Sequence, residues 1–431
     1  MKKILFITYN FAPRQSVGSI RPTRLAMYLA KMGHKVDVVC AKEYGMLDHS
    51  MDEVFDYIGT VEKITHPQMN EKNIPLNTPQ KQPTSKQASK IKKLPLADRV
   101  KKSLFEVKKI KRAKEFADKF EDIVKNDIDR FSEYDTVITT YGPLESTYCS
   151  FVMKKYFPNV RLVSDFRDPM TFADYGYPAN LIRARVQKKV CEISDALVSI
   201  SKGTFDEIFT KEAYRKKAKV IYNGYDISDI PKNKNNYDGQ YSFLCLGTMY
   251  HGKRDVSVLF KALSELCKEG NIDEKDIKVN YVGGHFDILK SQAERYSIEN
   301  VLSNRGFVTR SECMAMQTES RNLLLPNWNF HNAKGVLTGK FFEYMVTGRP
   351  IISIVCGDTP DSEISELIER YGFGFSYEQA NDKEDYEKLK QYLLNDYKRY
   401  KQGLDCEIIP SDDAVSDFNY EKITKQFEKL V

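Results

Sequence analysis

The residues best spaced for chemistry lie in one stretch of this 431-residue chain, from Gly335 through Thr338, Gly339, Lys340 and Glu343 to Gly348 and Pro350. Gly335 and Gly339 frame a loop whose backbone can approach a ligand without an intervening Cβ. Thr338 stands where it can cap a short helix, and the first turn of such a helix exposes amide hydrogens. Lys340 adds a full positive charge, and Glu343 follows one turn later on the same face. Gly348 and Pro350 stop the helix, and Ile351 to Val355 read as a buried strand. A phosphate-bearing ligand with neighbouring hydroxyls suits this arrangement, with amides and Lys340 on the phosphates and Glu343 on the hydroxyls. An ordinary helix-to-strand connection with a solvated Lys340 and Glu343 has the same pattern. A Walker A loop is excluded, because the glycine spacing is one residue short and Phe341 stands where that motif needs Ser or Thr.

Other reaction classes find little support. The six histidines (His34, His49, His66, His251, His285 and His331) show no metal-binding spacing, and Asp127-Ile-Asp129 falls in an acidic helical stretch. There is no G-x-S-x-G nucleophile elbow and no G-x-G-x-x-G dinucleotide fingerprint. The eight cysteines are scattered without Cys-x-x-Cys pairs, which suits free thiols in a reducing cytosol.

The elements that must position these residues alternate regularly. Strand-like apolar runs occur at 4–8, 35–40, 135–140, 161–166, 196–201 and 219–222, with helical patterns between them. After a polar, turn-rich linker at 231–239 the rhythm resumes at 243–247, 278–284, 322–325 and 351–355. Continuous apolar strands alternating with helices imply α/β architecture: two Rossmann-like parallel-sheet domains facing across a cleft. The boundaries expected are 1–228 and 240–408, with 409–431 as a terminal amphipathic helix carrying Val415, Phe418, Ile423, Phe427 and Leu430 on one side.

Carboxyl ends of parallel strands are where such sheets bind ligands. Gly18 lies in the loop after the first strand, and Arg14, Arg21 and Arg24 nearby can meet an anion or serve as surface charges. Asp165, Arg167 and Asp168 end another strand and suit either an acceptor-side role or a structural salt bridge. Gly247 ends the first strand of the second domain.

An insertion at about 60–120 interrupts the first domain with five prolines and then a basic helix. From Lys81 to Lys119 there are fourteen Lys or Arg against four Asp or Glu. Leu104, Val107, Ile110, Phe116 and Phe120 recur at helical spacing, so the helix has an apolar face and a cationic one. The cationic face can be simply solvated, or it can lie against an anionic membrane surface. The net charge of +6 calls for no nucleic acid, and no run approaches the ~20 apolar residues of a membrane span. The expectation is a cytoplasmic protein, peripheral on the inner membrane face if the basic helix engages lipid.

Taken in order, several motifs resemble the GT-B glycosyltransferases of the family 4 type (group 1 glycosyltransferases). They are the first strand with its Gly18 loop, the run from Leu29 to Val39 through Gly33-His34, Ser194 to Ser201, and Val220 to Asp226 through Asn223-Gly224. Leu244 to Lys253, Val282-Gly283-Gly284, Gly306-Phe307-Val308 and the Glu343 stretch follow. The resemblance spans nearly the whole chain. It implies a retaining, metal-independent transfer of a sugar from a UDP- or GDP-sugar to a glycan or lipid-linked acceptor, in surface polysaccharide assembly, with no cofactor. In that family's pattern Lys253, Lys340 and Glu343 match catalytic positions: Lys253 neutralises the departing diphosphate and Glu343 holds the ribose. Gly18, Gly247, Arg254, Phe307, Val308, Thr338 and Gly339 match donor-binding positions, with Phe307 and Val308 near the base. Departures from the pattern are Gly335 in place of a first glutamate, Thr248 in place of an arginine, and Thr140-Tyr141 in place of a histidine. Lys340 can compensate for the first. The missing glutamate motivates a rival, a catalytically idle nucleotide- or partner-binding protein of the same fold; a GT-B epimerase has no positive support in the residues.

Overall fold

The four apolar residues Ile4 to Ile7 have no exposed surface, so the first strand is covered on both faces, as a central parallel strand must be. The computed structural model describes residues 1–43, 45–65, 96–172, 175–226, 228, 239–249, 253–331, 334, 337–406, 408 and 411–431. Most of the expected linker (231–238), much of the expected insertion (66–95) and Gly335 lie outside the described residues.

The chain divides into two units, one of 1–223 with 420–431 and one of 224–419. In the first, the strands are β1 (Lys3–Ile7), β2 (Lys35–Ala41), β3 (Val61–Ile64), β4 (Thr136–Tyr141), β5 (Arg161–Phe166), β6 (Ala196–Ser199) and β7 (Ala218–Val220). They form a sheet in the order β3-β2-β1-β4-β5-β6-β7, every pair parallel. Its helices are α1 (Val17–Lys31), α2 (Leu96–Asn126), α3 (Ile128–Ser132), α4 (Glu145–Tyr156), α5 (Tyr177–Ile193), α6 (Lys202–Ile208) and α7 (Glu212–Arg215).

The second unit has β8 (Tyr241–Leu246), β9 (Ile277–Val282), β10 (Leu302–Gly306), β11 (Asn322–Trp328), β12 (Ile351–Cys356) and β13 (Gly374–Glu378) in the order β10-β9-β8-β11-β12-β13, again all parallel. Between and after them run α8 (Ser257–Lys268), α9 (Phe286–Glu294), α10 (Arg310–Glu319), α11 (Gly339–Met345), α12 (Glu363–Tyr371), α13 (Asp382–Lys401) and α14 (Asp412–Asp417). The chain closes with α15 (Tyr420–Glu428), which packs on α1 in the first unit. The two parallel-sheet α/β domains are therefore present, each with its own core.

Three expectations need correction. The terminal amphipathic helix is two helices, broken at Phe418 and Asn419. Phe418 packs in the second unit against Phe341, Phe342 and Tyr371, while Ile423, Phe427 and Leu430 enter the core under α1 in the first. Each such buried side chain contributes about 1.5–3 kcal/mol by leaving water.

The apolar face of α2 is also drawn differently. Ile110, Phe116 and Phe120 are buried with Ala113, Ala117 and Val124, but Leu104 is exposed. At about 100° per residue Leu104 points away from that face, so its apparent periodicity was accidental. The inner face instead buries Glu106, which accepts a hydrogen bond from Arg183 Nη2 at 2.8 Å and so ties α2 to α5. Finally, the three arginines near the first loop are not surface charges as a group. Arg24 is buried and paired with Glu53 at 2.6 Å, and Arg21 is buried against Asp165.

Candidate functional site

Gly247 sits immediately after β8 with φ +95°, a backbone state that side-chain-bearing residues rarely adopt. Its amide donates to Val282 O at 2.7 Å, and its carbonyl accepts from the Tyr281 hydroxyl at 2.6 Å. Gly283, after β9 with φ +148°, has its Cα against the Gly247 carbonyl, so a Cβ there would collide with backbone. Gly283 N in turn donates to Gly306 O at 3.0 Å. The carboxyl ends of β8, β9 and β10 thus meet through three glycines and leave an edge clear of side chains.

Lys340 fills the space that Gly247 vacates. Its ammonium and Cε lie where a side chain on residue 247 would begin, and Arg254 Nη1 approaches the same point at 3.9 Å. Arg254 is held there by donating from Nη1 to Thr248 O at 2.7 Å. Burial and the Arg254 guanidinium push the Lys340 pKa below its ordinary 10.5; Glu343 opposes them, with a smaller effect than either. Among the described residues no carboxylate lies within ion-pair distance of the Lys340 ammonium. Two cations side by side, one of them largely buried, form an electropositive point that an anion would relieve.

The helix that carries Lys340 is anchored by its opposite face. Phe341 and Phe342 of α11 are buried, and Phe341 packs edge-on against Phe373 and Phe418 at 5.6 and 6.0 Å between ring centres. Tyr344 is fully buried as well. Glu343, one turn after Lys340, is half-buried on the same helix. Thr338 occupies the N-cap position, but its hydroxyl makes no capping hydrogen bond; only its carbonyl is used, by the Phe341 amide at 3.0 Å. Thr338 and Gly339 are half-buried beside Lys340 in sequence.

Lys253 is exposed and lies over the ring of Trp328, its ammonium 5.3 Å from the ring centre; the Arg254 guanidinium lies 5.8 Å from the same ring. Trp328 ends β11 and is the only tryptophan of the chain. It is a site residue that sequence reasoning missed; a lone Trp at the end of an apolar strand was the available signal. Phe307 follows β10 and is 77% exposed, and Val308 is half-buried. An aromatic ring left in water at the ligand edge of a sheet can stack a planar group.

In the first unit the structure brings Gly18 and Arg167 together. Gly18 lies not in the loop but in the first turn of α1, where its amide donates to the Ser16 hydroxyl at 3.1 Å. Its carbonyl accepts from Arg167 Nη1 at 3.1 Å, and a Cβ on it would press on Asn10 Nδ2 at 2.6 Å. Asp168 is exposed beside them. Asp165 is fully buried and engaged at both oxygens: Arg21 Nε donates to one and Nη2 to the other, each at 2.9 Å. The same guanidinium donates to Ile221 O at 3.0 Å and Tyr222 O at 2.6 Å. Of the two roles open to Asp165, the salt bridge is the one its geometry performs.

Among the described residues no group of three or more His, Cys, Asp or Glu is placed to hold a metal ion. The sequence matches no protein-family model and no curated protein. Solved structures match along the whole chain. One is Alr3699/HepE of Anabaena, in complex with UDP-glucose, at 14% identity over 100% of this chain and 99% of that one, with a TM-score of 0.56. Sucrose-phosphate synthase from Thermosynechococcus elongatus is similar at 12% identity over 100% and 98%, with a TM-score of 0.59. A putative UDP-N-acetylglucosamine 2-epimerase from Listeria monocytogenes is similar at 11% identity over 99% and 95%, with a TM-score of 0.52. At these identities the likeness is one of fold, the two-domain GT-B fold.

Proposed function

We propose that this protein is a glycosyltransferase that moves a sugar from a nucleotide-sugar donor, a UDP- or GDP-sugar, to a glycan or lipid-linked acceptor. The observation that carries this reading is the Lys340 ammonium: buried against Gly247, crowded by Arg254, and facing no carboxylate at ion-pair distance among the described residues. A diphosphate relieves that charge crowding better than any neutral ligand.

In this reading Lys340, Arg254 and Lys253 hold the diphosphate, and Glu343 accepts hydrogen bonds from the ribose hydroxyls. Phe307 and Val308 flank the base, and Gly247, Thr338 and Gly339 let the donor approach the protein backbone. When the bond between the anomeric carbon and the diphosphate breaks, negative charge grows on the leaving oxygens, and fixed cations stabilise it without a metal. The acceptor oxygen forms the new bond with retention, its proton passing to the departing phosphate. Arg167 and Asp168 take the acceptor side, Asp165 fixes Arg21 behind them, and Gly18 serves the donor. That HepE is described in complex with UDP-glucose supports the donor class. The sequence resemblance supports the family 4 type, retention and a place in surface polysaccharide assembly.

The reading includes a peripheral position on the cytoplasmic membrane face, and the surface of α2 supports it. No helix among the described residues is long and apolar enough to cross a membrane. The outward side of α2 nevertheless exposes Val100, Leu104 and Phe105 among Lys101, Lys108 and Lys111. That mixture of apolar and cationic groups suits an anionic lipid surface, where a lipid-linked acceptor would reside.

Isothermal titration with UDP and GDP tests the donor assignment, followed by nucleotide release from a panel of nucleotide sugars. Absence of binding to either nucleotide would remove the donor assignment. Binding without release across acceptors would favour the idle alternative, for which the glycine at 335 is the motivating feature.

A further inference from the structure

Two consecutive cations, Lys253 and Arg254, repel each other and would ordinarily splay apart into solvent. Here both are gathered over the single indole of Trp328, at 5.3 and 5.8 Å from its centre. The backbone that carries them is clamped from two sides. Gln292 of α9 donates to Arg254 O at 3.2 Å and accepts from Val256 N at 3.0 Å, and Asp255 N donates to Cys356 Sγ at 3.2 Å. Cys356 is the register partner of Trp328 across β11 and β12, so the same pair of strand ends supplies both the clamp and the ring. The ring is only half-buried.

We infer that Trp328 is a positioning residue of the anion site: its negative π-face holds Lys253 and Arg254 together beside Lys340, ready for a diphosphate. This rests on the donor reading above and adds to it a residue that touches neither the phosphates nor the sugar. An aromatic face attracts both cations without neutralising them, whereas a carboxylate at 328 would compete with the ligand for them. Phenylalanine preserves the face in smaller form; leucine preserves only bulk.

The experiment uses the full chain with UDP, inorganic pyrophosphate and uridine as ligands. The Trp328→Leu variant is expected to bind UDP and pyrophosphate about five- to tenfold more weakly, a loss of the size expected for cation–π contacts. Uridine affinity and the melting temperature should stay as in the wild type, and Trp328→Phe should recover UDP affinity to within about twofold. Because the chain has one tryptophan, its emission should also change as pyrophosphate binds the two cations held against the ring. The inference falls if Trp328→Leu binds pyrophosphate as the wild type does, or if the Leu and Phe variants lose equally. Equal weakening toward uridine, or an emission spectrum unchanged at saturation, would also overturn it. If the wild type binds neither UDP, GDP nor pyrophosphate, the donor reading itself fails, an outcome separable from wild-type binding that ignores residue 328.

Discussion

Lys340 and Gly247 occupy one space: the ammonium of the first lies where the side chain of the second would begin. The glycine is required twice over, by its φ of +95° and by the cation lodged against it. Gly247→Ala should therefore destabilise the protein by on the order of 1–3 kcal/mol through backbone strain. It should also displace Lys340 and weaken UDP binding by about tenfold, the loss of one charge-assisted contact. In a double-mutant cycle with Lys340→Ala, the two losses of UDP affinity should not add. Additive losses measured by titration calorimetry would mean that the two residues act separately.

Lys340 carries a second, opposed prediction. Its folded pKa lies below 10.5, because burial and then Arg254 disfavour the ammonium. Between that lowered value and 10.5 the unfolded chain binds this proton and the folded chain does not. Stability from this group is therefore complete above 10.5 and is lost as pH falls through the folded value. Lys340→Met should flatten that slope and raise stability below the window by roughly 1 kcal/mol, since it removes a buried charge without a carboxylate partner. The same change should weaken UDP binding. Wild-type affinity should in addition fall as pH rises past the lowered value, because the diphosphate needs the ammonium. Denaturant melts and titrations across pH 7 to about 10.5 would check both signs; a variant that is less stable and binds as well would contradict them.

The contrast between what the residues announced and what they hid follows from range. Continuous apolar runs such as Ile4–Ile7 and Ile351–Val355 report their burial locally, so the two parallel sheets were legible. β3, β10 and β13 were not; each has five residues or fewer, lies in the outer part of its sheet and is only partly buried, so it needs less apolar sequence. Lys340 and Glu343 stood out by spacing, but the apposition of Lys340 to Gly247 joins residues 93 positions apart and depends on β8 and β11 pairing. The Arg21–Asp165 pair spans 144 positions and has no local signature at all. The two cations over Trp328 come from residues 253 and 254, which no local pattern pairs with it.

Glu343 is expected to recognise hydroxyls and not phosphates, which a ligand series can separate. Glu343→Ala should weaken UDP by about ten- to a hundredfold, as expected for hydrogen bonds to a charged acceptor. The same substitution should leave the affinity for 2′,3′-dideoxy-UDP within about twofold, because that ligand offers no ribose hydroxyl. Equal losses with both ligands would reassign Glu343 to holding α11 or its loop.

The outward face of α2 should distinguish anionic from neutral lipid. Liposomes rich in phosphatidylglycerol are expected to float the full chain, and pure phosphatidylcholine is not. Leu104→Ser with Phe105→Ser should cut the anionic binding several-fold, and raised salt should cut it further as the Lys101, Lys108 and Lys111 charges are screened. Melting temperature should hardly move, since both apolar side chains are already in water. Equal flotation on both lipids would count against an electrostatic membrane contact.

Asp165 is committed to a partner within the first unit. Both of its oxygens are taken by Arg21, and that guanidinium also serves the Ile221 and Tyr222 carbonyls beyond β7. Removing one member of such a pair leaves a buried charge without its partner and typically costs about 3–5 kcal/mol. Asp165→Ala and Arg21→Met should each lower stability by that order, while the double variant should lose less than the sum, because no lone charge remains. Arg167→Ala should behave differently: the residue is half-buried and donates to the Gly18 carbonyl, so its loss should leave the melting temperature nearly unchanged and reduce the proposed sugar transfer. If Asp165→Ala folds with wild-type stability and loses only transfer, the carboxylate belongs to the acceptor site and the salt bridge is incidental. If instead it unfolds at lower denaturant while Arg167→Ala does not, the strand end divides its labour between a buried pair that fixes the backbone and a half-buried cation available to the proposed acceptor.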